Sequence, residues 1–242
     1  MSARVRWDRS EVEVTARDVA ALGWIADQYA IRADALAVLL ARLASDPAGS
    51  VPPLAVTQRR VRQVVTRWGR AGWVHRYRLL GHAWVVPRPA GIALADRPYR
   101  EWQPNARMLD HLHATGLVRL AVEARLPGAP WRCERELRQL VAAGERKAIY
   151  RLPDAEVVTD GGIYGVEVEL TQKDQARFER NLRLIDPATA DTTYFVPPGL
   201  AERLARWLAA ANQQRQAGGY PPFTVRVAAL PEVPGTSYGG AR

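Results

Sequence analysis

One cysteine, Cys133, stands in 242 residues. An internal disulfide is therefore excluded, and such cysteine usage points to a reducing cytoplasm. Zinc chemistry has equally little to work with. His111 and His113 are the only close histidine pair, and at i, i+2 on a helix they point apart; Cys133 has no metal-ligand pattern around it. No apolar run approaches the ~20 residues that a bilayer requires. The longest, around Ala35–Ala41, suits a buried helix, so no membrane association is expected. Behind its arginines the N-terminal stretch MSARVRWDRSEVEV has no apolar core, and no signal peptide is expected. Lysine is nearly missing as well, two against thirty-two arginines, as an arginine-biased genome would give.

What is present is enough to bury a full core, as one large domain or two small ones. The net charge is +9, and its distribution is uneven. Residues 1–100 carry sixteen arginines and eight acids, whereas residues 101–242 carry eighteen basic and seventeen acidic residues. Genome bias does not explain why the excess sits in one half. A basic N-terminal half beside a nearly neutral C-terminal half implies a polyanion-binding module joined to something else.

In the basic half, TARD at 15–18 fits a helix-start box with Thr15 capping and Asp18 reaching back. Val19, Leu22, Ile25 and Tyr29 follow at helical spacing. A second helix is predicted over 33–43 with Leu36, Leu39, Leu40 and Leu43 as its buried face, and SDPAGSVPP (45–53) breaks the chain as a loop. The third helix, TQRRVRQVVTRWGRAG (57–72), gathers Val61, Val64, Val65 and Trp68 into one stripe. Its opposite face presents Arg59, Arg62, Gln63, Thr66, Arg67 and Arg70. No acid occurs from Val56 to Ala95, an interval that also holds Arg76 and Arg78. Arginine and glutamine are side chains that read base edges in the major groove, and further arginines suit phosphates. After Gly72, two alternating apolar runs around Gly81 read as a hairpin. Three helices, the third basic, followed by a hairpin describe a winged helix-turn-helix over residues 1–96, with double-stranded DNA as partner and Arg59, Arg62, Gln63, Thr66, Arg67, Arg70, Arg76 and Arg78 as its contacts. The competing reading is an ordinary solvated basic face.

ADRPYREWQPN, with two prolines, reads as the junction, its linker at 97–105. Beyond it a helix over 106–125 carries Leu109, Leu112, Leu117, Leu120 and Val122. Alternation predicts a short strand near 131–137, then a strand pair at 154–158 and 163–171 joined by a DGG turn. A helix at 173–186, a strand at 192–198, a helix at 201–213 and a last strand at 223–230 follow, and residues 232–242 read as a flexible tail. The order implies an α/β domain over 106–231 with a central mixed sheet, so that the chain is α+β overall.

The strand Ile163–Thr171 carries the chemistry. Side chains alternate across a strand, so Tyr164, Val166, Val168 and Leu170 face the core while Glu167, Glu169 and Thr171 face the other way, the two glutamate Cα atoms ~7 Å apart. The tight turn brings Asp154 beside Glu167. Carboxylates converging this way suit Mg²⁺, which stabilises charge on a cleaved phosphodiester. Outward acids on a surface strand are the plain alternative. On the next helix, Arg177, Arg180 and Arg183 read either as phosphate contacts or as surface charges paired with Glu179 and Asp186.

Proline-aspartate, a hairpin and Glu-x-Glu in an apolar strand resemble the PD-(D/E)XK nuclease superfamily. The resemblance implies a restriction-endonuclease-like domain in which Asp154 and Glu167 bind the metal. It places Glu169 at the third catalytic position, where lysine is usual, with Lys173 as a substitute from the next helix and Glu123 as an upstream acid. The longer pattern is similar to the replication-relaxation family over roughly residues 15–210: the basic winged helix, HLHATGLVRLAVEA, Trp131–Glu134, PDAEVV and VEVELTQKDQARFERNL. That resemblance implies a DNA-binding protein of plasmids or mobile elements of Gram-positive bacteria, acting in replication, relaxation or mobilisation, with replication or mobilisation proteins as partners. A homodimer fits a DNA-binding module. Two readings compete with an accessory DNA-binding protein: a Mg²⁺-dependent endonuclease targeted by the winged helix, and a non-catalytic transcriptional regulator.

Overall fold

The structure, a computed structural model, describes residues 12–44, 55–147, 150–171, 174–234 and 236. The expected loop at 45–53 and Lys173 lie outside the described residues. The chain is mixed α/β, with eight helices and two sheets among the described residues.

Helix α1 (Ala16–Asp27) opens as the sequence predicts. Thr15 Oγ1 accepts from the Asp18 amide at 3.2 Å, and Asp18 Oδ2 accepts from the Thr15 amide at 3.0 Å. The helix stops at Asp27, before Tyr29, whose φ of 65° lies in the left-handed region. Strand β1 (Ile31–Arg32) and helix α2 (Ala33–Arg42) follow, then α3 (Gln58–Arg70), β2 (Val74–Leu79), β3 (His82–Pro87) and α4 (Pro89–Leu94). Sequence periodicity registered neither β1 nor α4, because two and six residues are too short to show a period. β1 and β2 flank β3, both antiparallel to it. Leu22, Ile25, Leu36, Leu40, Val61, Val65 and Trp68 make the core between α1, α2 and α3.

The second half starts with α5 (Ala106–Arg125), capped by the Asn105 side chain on the Arg107 amide at 3.0 Å. Next come β4 (Trp131–Cys133), α6 (Glu134–Ala142), β5 (Ala155–Thr159), β6 (Gly162–Val168), α7 (Gln175–Arg183), β7 (Asp191–Val196), α8 (Pro198–Ala217) and β8 (Val225–Ala229). The expected strand near 131–137 is thus only three residues long. From Glu134 the chain turns helical, held by the Glu134–Arg138 pair at i, i+4 (2.6 Å) and by Leu137, which is fully buried. The large sheet runs β4-β5-β6-β7-β8, antiparallel as far as β6 and parallel beyond. Ala114 and Val118 of α5 cover one face, against Ala155, Val157, Val166 and Val168. Phe178 and Leu182 of α7 and Leu204, Leu208 and Ala211 of α8 cover the other, against Tyr194 and Val196.

Helix α5 serves both halves. Its Leu117 and Leu120 belong to the core of α1–α3. Arg119, 7 % exposed, bridges Asp27 of α1 (3.3 Å) and Glu123 (2.6 Å) and lies over the Trp24 ring at 4.7 Å. The junction segment is fastened here too. Arg97 pairs with Asp27 at 2.8 Å, Arg135 donates to the Ala26 and Arg100 carbonyls, and Gln139 donates to the Pro98 carbonyl. The tail expected to be flexible from 232 is corrected at its start. Val233, 6 % exposed, inserts among the first-half core residues, because an apolar side chain following β8 finds cover there.

Asp18 has a second task beyond its cap. It is wholly buried and its Oδ1 accepts from Trp68 Nε1 at 2.8 Å and from Arg67 of α3. Burial alone would raise its pKa, but the bonds from Arg67, Trp68 and Thr15 hold the carboxyl below its ordinary value. Asp18→Ala should therefore destabilise the protein by about 3 kcal/mol, since it strands a buried indole N–H and a half-buried guanidinium. Urea denaturation at neutral pH measures this, and a loss below ~1 kcal/mol would show that α1 and α3 do not depend on the pair.

Candidate nucleic-acid interface and acidic cluster

Helix α3 buries Val61, Val64, Val65 and Trp68, and its remaining face is turned outward. Arg59, Arg62, Gln63 and Arg70 are exposed and Thr66 is half-buried. With Arg67 and Val12 they line one shallow groove along the helix. Among the described residues no carboxylate lies within ion-pairing distance of Arg59, Arg62 or Arg70. Arg67 is different. It is bonded to Asp18 and donates to the Glu13 carbonyl at 2.9 Å, so this expected contact residue already has its partners within the protein. Its partner lies 49 positions earlier, beyond the reach of a scan for local counter-charges.

On the hairpin, Arg76 and Arg78 are exposed and stand opposite Val85 and Ala83. Directly opposed residues share a face, and Val85 belongs to the core of α1–α3. The two arginines therefore project on the hairpin face turned toward the helices. Tyr77, Leu79 and Trp84 take the opposite face, packed near Leu109 of α5. No acid follows α3's N-cap, Thr57, which accepts from the Arg60 amide at 3.2 Å. Arg59 and Arg60 thus add to the positive end of the helix dipole instead of offsetting it.

The acidic residues of the second half are gathered only in part. Asp154 precedes β5 and Glu167 lies in β6; because Ala155 pairs with Val166, the two are cross-strand neighbours, as expected. They do not face solvent, however. Glu167 is 4 % exposed and sits under α7, with its Oε2 2.8 Å from Arg151. The outward face expected for this strand is the inner face of a second helical layer. Asp154 Oδ2 accepts from the Val168 amide at 2.7 Å and its Oδ1 lies 3.0 Å from His111 Nε2. Strand β6 ends at Val168, so Glu169 and Thr171 fall past it; Glu169 is half-buried and accepts from Thr171 Oγ1 at 3.2 Å. Glu123 does not join this group. It accepts from Trp24 Nε1 at 2.9 Å and pairs with Arg119, twelve residues and therefore ~18 Å along α5 from His111.

Sequence reasoning missed the cations of this face. Arg151 reaches Glu167, and Arg146 holds Glu156, 1 % exposed, together with Asp186 at 3.3 Å. Arg132 lies 3.8 Å from the same Glu156. Asp186 is thereby taken, and Glu179 accepts from Gln175 at 2.8 Å; Arg177, Arg180 and Arg183 are exposed without the pairing expected to those two acids. The donor set of Asp154 and Glu167 does not fit a divalent cation as it is held. Both Asp154 oxygens and one Glu167 oxygen are engaged by N–H donors, and no three acid, histidine or cysteine side chains converge on one point among the described residues. Burial raises the pKa of the neighbouring Tyr194 hydroxyl, and Glu167 adds to the shift.

The sequence matches no family model, and no curated protein matches it. Among the described residues no helix is long and apolar enough to cross a membrane.

His111 carries the pH dependence of this cluster. Burial pulls its pKa down, but the hydrogen bond and charge of Asp154, with Glu134 and Glu167 adding, leave it above the ordinary imidazole value. A raised folded pKa contributes stability that is fully present below the unfolded value of about 6.5 and is lost as pH rises through the folded one. Stability to urea should therefore fall as pH is raised from 6.5 through the slightly alkaline range, and His111→Asn should flatten that stretch. An unchanged slope in the variant would assign the titration to another group.

Proposed function

We propose that the chain is a double-stranded DNA-binding protein. In this reading α1–α3 and the β2–β3 hairpin form a winged helix-turn-helix, and α3 lies in the major groove with the hairpin arginines on the adjacent backbone. The observation that carries it is the α3 face, on which Arg59, Arg62 and Arg70 stand exposed and without carboxylate partners among the described residues. Arg59, in the first turn of α3, is repelled by the positive end of the helix, and an anion from outside offsets that charge. An α-helix about 10–12 Å across with its side chains fits the ~12 Å width of a major groove, and the thirteen residues of α3 give it ~20 Å of length to lie there. The order helix, strand, helix, antiparallel strand pair, helix, parallel strand supports a nuclease-like second domain. On the resemblance to the replication-relaxation family, the role is in replication, relaxation or mobilisation of a plasmid or mobile element.

The cross-strand placement of Asp154 and Glu167 favours a second reading, a metal-dependent endonuclease. It ranks below the first because Arg151 and His111 already balance these carboxylates, which leaves the nuclease-like domain a docking or structural role.

Binding of a mixed-sequence duplex, measured by fluorescence anisotropy across a salt series, tests the first reading. Replacing Arg59 and Arg62 together by alanine should weaken binding and lower the steepness of log K against log salt by about two units, one per lost phosphate contact. Identical affinity and slope would remove α3 from the interface. Plasmid nicking with Mg²⁺, comparing the unsubstituted protein with Asp154→Ala, separates the two readings: we expect no nicking that depends on Asp154, and nicking abolished by the substitution would establish the endonuclease.

A further inference from the structure

The hairpin between β2 and β3 turns through two residues only, since Leu79 pairs with His82. Both turn residues have positive φ, Leu80 at 50° and Gly81 at 78°. This is the pattern of a type I′ turn, which suits a right-twisted hairpin and favours Asn-Gly. Gly81 is the expected residue. Leu80 is not, because a branched aliphatic side chain in the left-handed region is strained. Burial of the side chain would offset that strain, yet Leu80 is 57 % exposed. Leu79, one position earlier, packs against the cluster of Trp84 and Leu109, and nothing in that cluster recruits Leu80. The fold thus carries an apolar side chain at the most protruding point of the hairpin, in a backbone conformation that disfavours it, with no internal gain.

The surroundings indicate what meets it. Arg78 and Arg76 are exposed behind the tip on one face of β2, and no acid lies anywhere from Val56 to Ala95. A protruding aliphatic group with guanidiniums behind it has the composition of side chains that enter the minor groove and prise apart a base step, while the cations hold the flanking phosphates. A turn residue locked between two paired strands is also stiff enough to act as a wedge.

Resting on the DNA-binding reading, we infer that Leu80 is a minor-groove wedge. It inserts at a pyrimidine–purine step, where unstacking costs least, and the hairpin thereby kinks the duplex next to the site occupied by α3. Specificity then has two sources: base edges met by α3, and the deformability of one step reached by the tip.

The test starts from duplexes enriched by the full-length protein from a random pool. The enriched duplex carries donor and acceptor dyes at its ends and 2-aminopurine at successive positions. The unsubstituted protein should shorten the end-to-end distance and brighten 2-aminopurine at one pyrimidine–purine step. Leu80→Asn should lose both the shortening and the brightening, remain bound through α3, and unfold at a urea concentration no lower than the parent, because asparagine tolerates the turn conformation. Leu80→Met, which keeps an apolar tip, should retain the brightening. Equal bending and brightening by Leu80→Asn would overturn the wedge and leave the DNA reading standing. If no duplex is enriched and the parent protein binds none at low salt, the DNA reading falls and the wedge falls with it.

Discussion

Arg119 is the constraint on which the two halves depend. It sits on α5, which packs against both halves, and its guanidinium is nearly buried. An arginine in that position is tolerable only when carboxylates and an aromatic face surround it. Asp27, Glu123 and Trp24 provide them, two from α1 and one from α5 itself. The same Asp27 also holds Arg97 of the junction. The end of α1, the junction and α5 are therefore positioned by one charge network, and the α3 surface inherits its orientation through Asp18, which joins α1 to Arg67 and Trp68.

Charge is handled in opposite ways in the two halves. In the second half, acids and cations answer one another: Glu167 with Arg151, Glu156 with Arg146, and Asp154 with His111 of α5. Along α3 the cations are exposed and, among the described residues, only Arg67 finds a carboxylate. An internally balanced face has little electrostatic pull on a polyanion, whereas an unbalanced one attracts it from a distance. The two faces thus differ in how much of their charge is answered within the protein.

Local signals in the sequence identified much of this. The Thr15–Asp18 box, the Val61–Trp68 stripe, the hairpin at Gly81 and the DGG turn each depend on residues within a few positions of one another. What stayed hidden depends on distant partners. Arg67 looked like its neighbours on α3 because nothing local shows that Asp18 claims it. The alternation of Trp131–Leu137 mimicked a strand, although the i, i+4 pair of Glu134 and Arg138 favours the helix that forms. Glu167 was placed on the correct face, but the helices covering that face, and with them Arg151, could not be read from a period of two.

Val233 gives the chain a closing order. The core of α1–α3 contains Leu117 and Leu120 from the middle of the sequence and Val233 from beyond the last strand. During synthesis the first three helices emerge with that core incomplete, open first to α5 and finally to a residue more than 130 positions after α4. The core of the basic half is therefore complete only once the residues of the other half's sheet have been synthesised, so a chain truncated before residue 233 lacks part of that core even though every residue of α3 is present.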